Sequence, residues 1–135
     1  MRLTRRYRFA ASHRLHADAL SEEENRKLYG KCNNPYGHGH DYVLDVTVEG
    51  GLDASGQIVD RAALDGLVGE HVLARLDHGN LNQDLPEFRT SVPTTENLVS
   101  LVEKMLLEHW NLPARLARLR ISETERNTFE LERRP

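Results

Sequence analysis

The chain has 135 residues, 39% of them hydrophobic and 29% charged, which predicts one globular domain over residues 1–135 with a modest core. Its net charge of -3 lacks the clustered basic excess of nucleic-acid binders, and no apolar run resembles a membrane span or a signal peptide, so we expect neither nucleic acid nor membrane as a partner. Because Cys32 is the only cysteine, an intrachain disulfide is excluded and a cytoplasmic location is expected.

The first part of the chain predicts a strand followed by a short helix. Residues 3–9 roughly alternate apolar and polar side chains, as a strand with one solvated face does, and the strand continues toward His13. Ser21 and Glu24 stand three residues apart, which is the signature of a capping box, and Gly30 is a typical stop for a helix. A helix is therefore expected between Ser21 and Gly30.

The next segment predicts a hairpin. Residues 38–48 are rich in β-branched side chains and give the clearest strand pattern in the chain. Residues 50–56 have the glycines and the aspartate that are typical of turns. We therefore expect residues 57–59 to return as the second strand of a hairpin with residues 38–48.

Two amphipathic helices follow. Asp60 is expected to cap the first, and Thr94 or Thr95 to cap a longer second helix that Pro113 ends. Residues 77–93 between them have the composition of a loop. The apolar positions recur at helical spacing, as Leu64, Leu67, Val68, Val72 and Leu76 in the first helix and as Leu98, Leu101, Val102, Met105 and Leu106 in the second.

Residues 116–121 and 128–131 predict a closing pair of strands. Two strands, two helices and two strands in this order predict an α+β fold, in which both helices pack on one face of a sheet. A sheet this short leaves edge strands to be covered, so oligomerisation by edge pairing is expected.

Three histidines are spaced as ligands of a catalytic metal. His38 and His40 are two residues apart on a predicted strand, so their imidazoles point to one face, and Gly39 lets a neighbouring element approach. His13, at the end of the first strand, supplies a third ligand if the two strands are adjacent. Three neutral imidazoles leave the fourth corner of a zinc tetrahedron open for substrate. For His38 and His40 alone, a chance pair of polar residues on a strand is the alternative.

Cys32 precedes this histidine pair, and its spacing allows two roles. As a fourth ligand it would close a structural metal site. The intervening residues 33–37 have the composition of a turn that displaces the thiol from His38 and His40. This favours a reactive thiol beside the metal, which acts on protons or as a nucleophile.

Three further polar residues are candidates for function. Asp77 and His78 follow a predicted helix in a loop, where functional groups concentrate, although His78 could instead interact with the dipole at the end of that helix. Glu123 interrupts two apolar strands, and by itself it has the character of a turn residue.

Five segments together resemble the 6-pyruvoyl-tetrahydropterin synthase family over nearly the whole chain. They are FAASHRL at residues 9–15, GKCNNPYGHGH at 30–40, LDHGNL at 76–81, PTTEN at 93–97 and SET at 122–124. The second motif is long and specific. The resemblance implies a tunnelling fold, with a four-stranded antiparallel sheet backed by two helices. It also implies that three subunits join their sheets into a barrel and that two trimers stack into a homohexamer.

The resemblance also implies a role for each candidate residue. In the family three histidines bind zinc, one ion per subunit, and this role falls on His13, His38 and His40. The general base of the family falls on Cys32.

The remaining roles implied by the resemblance concern the Asp-His pair and the substrate pocket. The pair that supports the base falls on Asp77 and His78. The glutamate that anchors the pterin falls on Glu123, and the segment Thr94, Thr95 and Glu96 lines the pterin pocket. These groups need not all come from one chain, because sites of this family form between subunits.

The activity implied is the zinc-dependent conversion of 7,8-dihydroneopterin triphosphate to 6-pyruvoyl-tetrahydropterin in tetrahydrobiopterin synthesis. Such an enzyme is a carbon-oxygen lyase that eliminates triphosphate. The nearest alternative is 6-carboxy-5,6,7,8-tetrahydropterin synthase of the queuosine pathway, which shares the fold, metal and substrate. Five residues separate Cys32 from His38 in this chain. The resemblance implies the biopterin branch, whose enzymes have a similar gap, whereas enzymes of the queuosine branch usually have three residues between the cysteine and the histidine.

Two hypotheses from other functional classes are also open. Cys32, His78 and Asp77 have the chemistry of a nucleophilic triad in a thiol hydrolase, which would leave the other histidines without a role. The chain could also be a non-catalytic module that zinc stabilises, in which case chelation would unfold it.

Overall fold

A computed structural model describes residues 1–135 and contains five strands and five α-helices. The strands are β1 (Arg2–His13), β2 (His38–Glu49), β3 (Gly79–Asn80), β4 (Arg115–Ser122) and β5 (Thr128–Glu132). The helices are α1 (Glu22–Tyr29), α2 (Arg61–Val68), α3 (Ala74–Leu76), α4 (Leu81–Asp84) and α5 (Thr95–His109). A π-helical turn, Gly69–Leu73, joins α2 to α3, and 3₁₀ turns lie at Gly30–Asn33 and Pro86–Arg89.

The N-terminal caps predicted from the sequence are confirmed, whereas the second long helix ends at His109, before the predicted Pro113. Ser21 and Glu24 form the reciprocal capping box of α1, and the Asp60 side chain caps α2. Of the two candidates for α5, Thr94 is the cap, because its hydroxyl accepts a hydrogen bond from the Asn97 N–H at 3.2 Å. These caps satisfy N–H groups that have no partner within the first turn of a helix.

The strands form one sheet in the order β3-β1-β2-β4-β5. All neighbours are antiparallel except β3 and β1. The expected four-stranded antiparallel sheet is therefore wrong in detail, since the sheet has five strands and is mixed. The fifth strand is missed because Gly79–Asn80 is only two residues long and sits in a segment that has a loop's composition.

The predicted hairpin is also wrong. Residues 57–59 form no strand, because both neighbours of β2 are already supplied by β1 and β4. The turn residues close a loop instead. The Asp53 carboxylate accepts hydrogen bonds from the N–H groups of Ser55 and Gln57, at 2.8 and 3.0 Å.

The core lies between one face of the sheet and the helices, as the α+β prediction requires. On β1, β2 and β4 every second residue lies on this face and, apart from the exposed His38, is buried or partly buried, and the apolar stripes of α2 and α5 cover these residues. The opposite face is polar, with ion pairs such as Arg6 with Asp45. No helix has both the length and the apolar character needed to cross a membrane.

Candidate metal centre

Two histidines from neighbouring strands meet at one end of the sheet, on the face that carries the core. In the antiparallel register His13 lies opposite His38, and Ala11 lies opposite His40. In a sheet, two residues that lie opposite each other on paired strands point to the same face, and so do residues two apart on one strand. The Nε2 atoms of His13 and His40 are 3.1 Å apart. The condition for His13 to join His38 and His40, that the two strands are adjacent, is met, because β1 and β2 are direct neighbours.

His13 is fixed by a hydrogen bond from its other ring nitrogen. The His13 side chain is buried, and its Nδ1 donates to the Pro93 carbonyl oxygen at 2.9 Å. This bond places the proton on Nδ1 and leaves the lone pair of Nε2 free. Metal-ligating histidines are usually oriented in this way by a carbonyl or a carboxylate.

Cys32 and Glu123 complete a group of four around these nitrogens. Cys32 Sγ lies 3.6 Å from His40 Nε2. Glu123 Oε1 lies 3.2 Å from His40 Nε2 and 3.7 Å from His13 Nε2. One donor atom from each of the four residues lies within 4.8 Å of all the others. These are the donor types that zinc binds in proteins.

His38 lies outside this group of four. Its side chain is exposed, and the centre of its ring is 4.9 Å from that of His40, with the two planes nearly perpendicular. The structure thus brings together His13, His40 and Cys32 from the residues proposed for the metal and its base. It leaves His38 beside them.

The position of Glu123 is the feature that the sequence reasoning missed. Ser122 pairs with Val43, so Glu123 comes opposite Tyr42 at the end of β4. Alternation from the buried Ile121 turns the Glu123 side chain toward the same face as His40. The signal for this was present in the two-residue period of β4, but it becomes informative only once the pairing of β2 with β4 is known.

Burial sets the protonation of the cluster. Burial lowers the pKa of both His13 and His40, so their imidazoles are neutral and able to accept a metal at neutral pH. Burial raises the pKa of Cys32, and the negative charge of Glu123 raises it further. The thiol is therefore protonated in the metal-free chain, and a nearby cation would favour the thiolate.

The loop that carries Cys32 is tied to the chain just after His13. Leu15 donates its N–H to the Cys32 carbonyl at 2.7 Å, and the Asn33 side chain donates to the Leu15 carbonyl at 2.7 Å. Gly37 then passes close to His13, with a φ of 78°. A Cβ on Gly37 would stand 2.6 Å from the His13 carbonyl oxygen. The spacing of the thiol from the histidines thus depends on a residue without a side chain.

Asp77 and His78 form a pair at the edge of the sheet. Asp77 accepts a hydrogen bond from the Ala10 N–H at 2.9 Å, and His78 donates its own N–H to the Ala10 carbonyl at 2.6 Å. His78 Nε2 lies 3.5 Å from Asp77 Oδ2. The His78 side chain is 85% exposed, and no hydrogen bond joins it to Cys32 within the chain.

The start of α5 lies beside the cluster, since Pro93 holds the ring of His13. Thr95 is buried, and its hydroxyl has no hydrogen-bond partner in the chain. Glu96 is exposed in the first turn of the helix. A buried hydroxyl without a partner is rare in proteins and fits a site that a water or a ligand completes.

An open cleft of 330 Å³ lies over the ends of β1 and β2 and is lined among others by Ser12, Gly39 and His78. Ser12 and Gly39 alternate with His13 and His40 along their strands, so this cleft opens on the face of the sheet opposite the donor atoms. It therefore adjoins His78 but is not the pocket of the metal centre.

Comparison with known proteins places these residues in one family. The family model described as 6-pyruvoyl tetrahydropterin synthase matches residues 2–134. The 6-pyruvoyl tetrahydrobiopterin synthase of Poecilia reticulata is 45% identical over 127 residues, covering 93% of this chain and 85% of that protein. The solved structure of Caenorhabditis elegans 6-pyruvoyl tetrahydropterin synthase has a TM-score of 0.91 at 37% identity, and the match covers 99% of this chain and 96% of that one.

A relative from the alternative branch is less similar. An Archaeoglobus fulgidus protein named for 6-carboxy-5,6,7,8-tetrahydropterin synthase is 29% identical over 96 residues, covering 71% of this chain and 76% of that protein.

Proposed function

This chain belongs to the 6-pyruvoyl tetrahydropterin synthase family, and on that premise we propose that it converts 7,8-dihydroneopterin triphosphate to 6-pyruvoyl-tetrahydropterin. The reaction eliminates triphosphate, so the enzyme is a carbon-oxygen lyase. The observation that carries the proposal is the buried pair His13 and His40, which meets Cys32 and Glu123 in one group of donor atoms.

The histidines fit a zinc ion, one per subunit. For zinc–nitrogen bonds of about 2.0–2.1 Å in a tetrahedron, two nitrogens stand about 3.3 Å apart, and those of His13 and His40 are 3.1 Å apart. His38 would join them, since its ring adjoins that of His40. Bound zinc would polarise the oxygens of the substrate side chain and so acidify the neighbouring C–H bonds.

Cys32 is the proposed general base. Its sulfur lies 3.6 Å from His40 Nε2, so it would be next to any substrate that reaches the histidines. A thiolate there removes the acidified proton from carbon, and the same thiol can return a proton at the next position. Burial and the charge of Glu123 oppose the thiolate in the metal-free chain, which makes its formation dependent on a nearby positive charge.

Asp77 and His78 are proposed to relay protons from a second subunit. The pair stands on the edge of the sheet, and the His78 side chain is exposed. A neighbouring chain that covers this edge would bring a Cys32 of its own toward that imidazole. This supports a homohexamer in which three sheets close into a barrel, with each site formed between subunits.

The two glutamates suggest a division of roles at the pterin. Glu123 faces the histidines, with a carboxylate oxygen 3.2 Å from His40 Nε2. Glu96 is free in the first turn of α5, next to the unpaired hydroxyl of Thr95 and the cap Thr94. The resemblance gives the pterin anchor to Glu123, but the place of Glu123 beside the histidines favours another division. We propose Glu96 for the guanidine-like edge of the pterin, where a carboxylate accepts two hydrogen bonds, and Glu123 for the reacting end.

The alternative product is a 6-carboxy-tetrahydropterin. The greater similarity to enzymes named for the pyruvoyl product and the gap of five residues between Cys32 and His38 favour the first proposal. We also propose a cytoplasmic enzyme, because a catalytic thiol works only in its reduced form.

Product analysis tests the proposal. Purified protein with 7,8-dihydroneopterin triphosphate and saturating zinc should release triphosphate and form 6-pyruvoyl-tetrahydropterin, which chromatography with mass spectrometry identifies. Cys32→Ala at saturating zinc should lower turnover by about 10²–10⁴-fold, the usual contribution of a general base. A carboxylated pterin with released acetaldehyde would contradict the proposal, and so would full activity of Cys32→Ala.

A further inference from the structure

We propose that Asn82 is a positioning residue for the metal centre: its side-chain amide holds the backbone of Arg14 and thereby fixes where His13 stands. Asn82 lies in α4, directly after the segment LDHGNL, and belongs to none of the motifs that pointed to the site. The inference rests on the proposed function for the metal that His13 binds, but it is tested by metal affinity and protein stability, without turnover.

The Asn82 side chain binds both backbone hydrogen-bonding groups of Arg14. The Arg14 N–H donates to Asn82 Oδ1 at 2.7 Å, and Asn82 Nδ2 donates to the Arg14 carbonyl oxygen at 2.9 Å. Two opposed residues of an antiparallel strand pair exchange two bonds of the same kind. The pairing of β1 with β2 ends at His13 and His38. Asn82 therefore extends the support of β1 by one residue, immediately after His13.

The two bonds also fix the orientation of the Asn82 amide. A carboxamide has an oxygen that only accepts and a nitrogen that only donates. If the amide were turned over, its NH₂ group would face the Arg14 N–H and its oxygen would face the Arg14 carbonyl, so both bonds would be lost. The contact is therefore specific for asparagine, because an aspartate of the same size has no donor for the carbonyl.

Asn82 is itself held in place by its neighbours. The Asn80 side chain caps α4 by accepting hydrogen bonds from the N–H groups of Asn82 and Gln83, at 3.0 and 3.2 Å. Leu81, between Asn80 and Asn82, is 1% exposed and anchors α4 in the core. The amide of Asn82 is thus presented from a turn that is fixed both at its start and by the core.

The segment that leads to Asn82 also holds β1 before His13. The Ala10 N–H donates to the Asp77 carboxylate at 2.9 Å, and the His78 N–H donates to the Ala10 carbonyl oxygen at 2.6 Å. Asn82 supplies the corresponding hold after His13. Loss of the Asn82 amide would therefore free only that end of the strand, which is the end that carries the metal ligand.

His13 needs this second constraint because its ring bond is not sufficient. The bond from His13 Nδ1 to the Pro93 carbonyl oxygen orients the ring, but it does not fix the backbone to which the ring is attached. The Nε2 atoms of His13 and His40 must stay close together, at 3.1 Å, to share an ion. Groups that orient a metal ligand from outside the coordination sphere typically contribute about 10–100-fold to metal affinity.

The zinc affinity of two Asn82 variants tests the proposal. In competition with a chelator at 25 °C, Asn82→Ala should weaken zinc binding by about 10–100-fold, because both bonds to Arg14 are lost. Asn82→Asp keeps the acceptor for the Arg14 N–H, so its loss of affinity should be smaller. Gln83→Ala is the matched control, because the Gln83 side chain is exposed on the same helix, and its zinc affinity should equal that of the unaltered protein.

A second control separates positioning from a general loss of stability. Leu106→Ala removes a fully buried side chain from the far part of α5. It should lower the Tm of the metal-free protein and leave the zinc affinity of the folded protein unchanged. Asn82→Ala should lower the Tm no more than Leu106→Ala does, yet lose zinc affinity. With Co²⁺ in place of zinc, the visible absorption spectrum should change in Asn82→Ala and stay the same in Leu106→Ala.

Three results would overturn the inference. Asn82→Ala could bind zinc as tightly as the unaltered protein, it could lose no more affinity than Leu106→Ala, or the unaltered protein could fail to bind zinc. If Asn82→Ala does not fold, Asn82→Asp provides the test, and full zinc affinity in that variant would contradict the proposal.

A failure of the proposed function would look different from a failure of this inference. The product analysis uses the unaltered protein, so a normal zinc affinity in Asn82→Ala leaves the proposed reaction standing. If the product were wrong while the Asn82 variants lost zinc as expected, the proposed reaction would be wrong and the role of Asn82 at the metal centre would stand.

Discussion

At the scale of single residues, Gly37 sets the distance between the thiol and the histidines. The residue has a φ of 78°, and a side chain on it would collide with the His13 carbonyl oxygen. Gly39, two residues later, has open space around it and an ordinary strand conformation. The two glycines of one motif therefore serve different purposes.

Replacing these two glycines tests that distinction. Gly37→Ala should destabilise the protein by about 1–3 kcal/mol, the typical cost of a strained backbone position. It should also weaken zinc binding, because Gly37 contacts the His13 backbone and directly precedes His38. Gly39→Ala should leave both properties nearly unchanged. Thermal unfolding and zinc titration of the two variants provide the measurement. Equal losses of stability and zinc affinity in both variants would show that the close approach of Gly37 to His13 is not important.

The residues also show how far sequence reasoning reaches. His38 and His40 could be placed on one face because alternation on a strand fixes which face a side chain takes, whereas His13 joins them only because β1 pairs with β2. Glu123 could not be placed, because the neighbouring Ser122 pairs with Val43, 79 residues earlier, and only this pairing of β2 with β4 reveals the contact. The exposed rotamer of His38 depends on side-chain packing, which no period in the sequence records.

At the scale of elements, one carboxylate joins three strands at the end of the sheet far from the metal centre. Glu49 of β2 accepts hydrogen bonds from Arg2 of β1 at 2.7 Å and from Arg115 of β4 at 2.9 Å. These bonds lower the pKa of Glu49 to about 2. The ends of the three central strands are thus held by charge, while their middle is held by the core.

This clamp, in which Glu49 binds Arg2 and Arg115, predicts how the stability of the protein changes with pH. Because Glu49 has a lower pKa in the folded chain than the ordinary 4.5, the unfolded chain binds more protons between these two values. Stability from the clamp is therefore complete above pH 4.5 and is lost as the pH falls toward 2. Chemical unfolding at a series of pH values should show a weaker dependence for Glu49→Gln, and identical curves would contradict the prediction.

Local patterns in the sequence predicted where the helices and strands lie better than they predicted which strands pair with each other. Caps, alternation and helical periods placed α1, α5, β1, β2, β4 and β5 close to their observed bounds. The single helix predicted from Asp60 through Leu76 is instead divided into α2, a π-helical turn and α3. The hairpin failed because a turn-rich segment fixes where a chain bends, but not which strand it then pairs with. Strand β3 failed because two residues are too few to show a period.

At the scale of the whole molecule, we expect the core to form without the proposed metal. A continuous cluster of 25 buried apolar residues joins the sheet to its helices, and the metal centre lies at one end of it. This distinguishes the chain from small modules that fold only around zinc. Metal should add stability to a fold that already exists.

Chelation tests this independence. Removal of zinc should leave the far-ultraviolet circular dichroism at 25 °C unchanged and should lower the Tm. At a free zinc concentration about 100 times Kd, the stabilisation by binding is about 2.7 kcal/mol. Complete loss of the spectrum on chelation would favour the structural zinc module instead, and an unchanged Tm would show that zinc does not bind the folded chain.

The two edges of the sheet predict the assembly. β5 is free along its outer side, and at the opposite edge β3 covers only two residues of β1. In the proposed hexamer these edges pair between copies. Light scattering after size exclusion should therefore give the mass of six 15.4 kDa chains, whereas a monomer with full activity would contradict a site shared between subunits.

The register of β1 and β2 has a consequence for how the chain folds. His13 and His38 are the pair next to the connecting segment, and Arg2 with Glu49 is the most distant. Pairing that starts at His13 and His38 closes the shortest loop and so loses the least chain entropy. We therefore expect β1 and β2 to pair first at the end of the sheet that carries the candidate metal centre. Zinc present during stopped-flow refolding should then speed the reaction, and an unchanged rate would mean that the ion is captured only after the transition state.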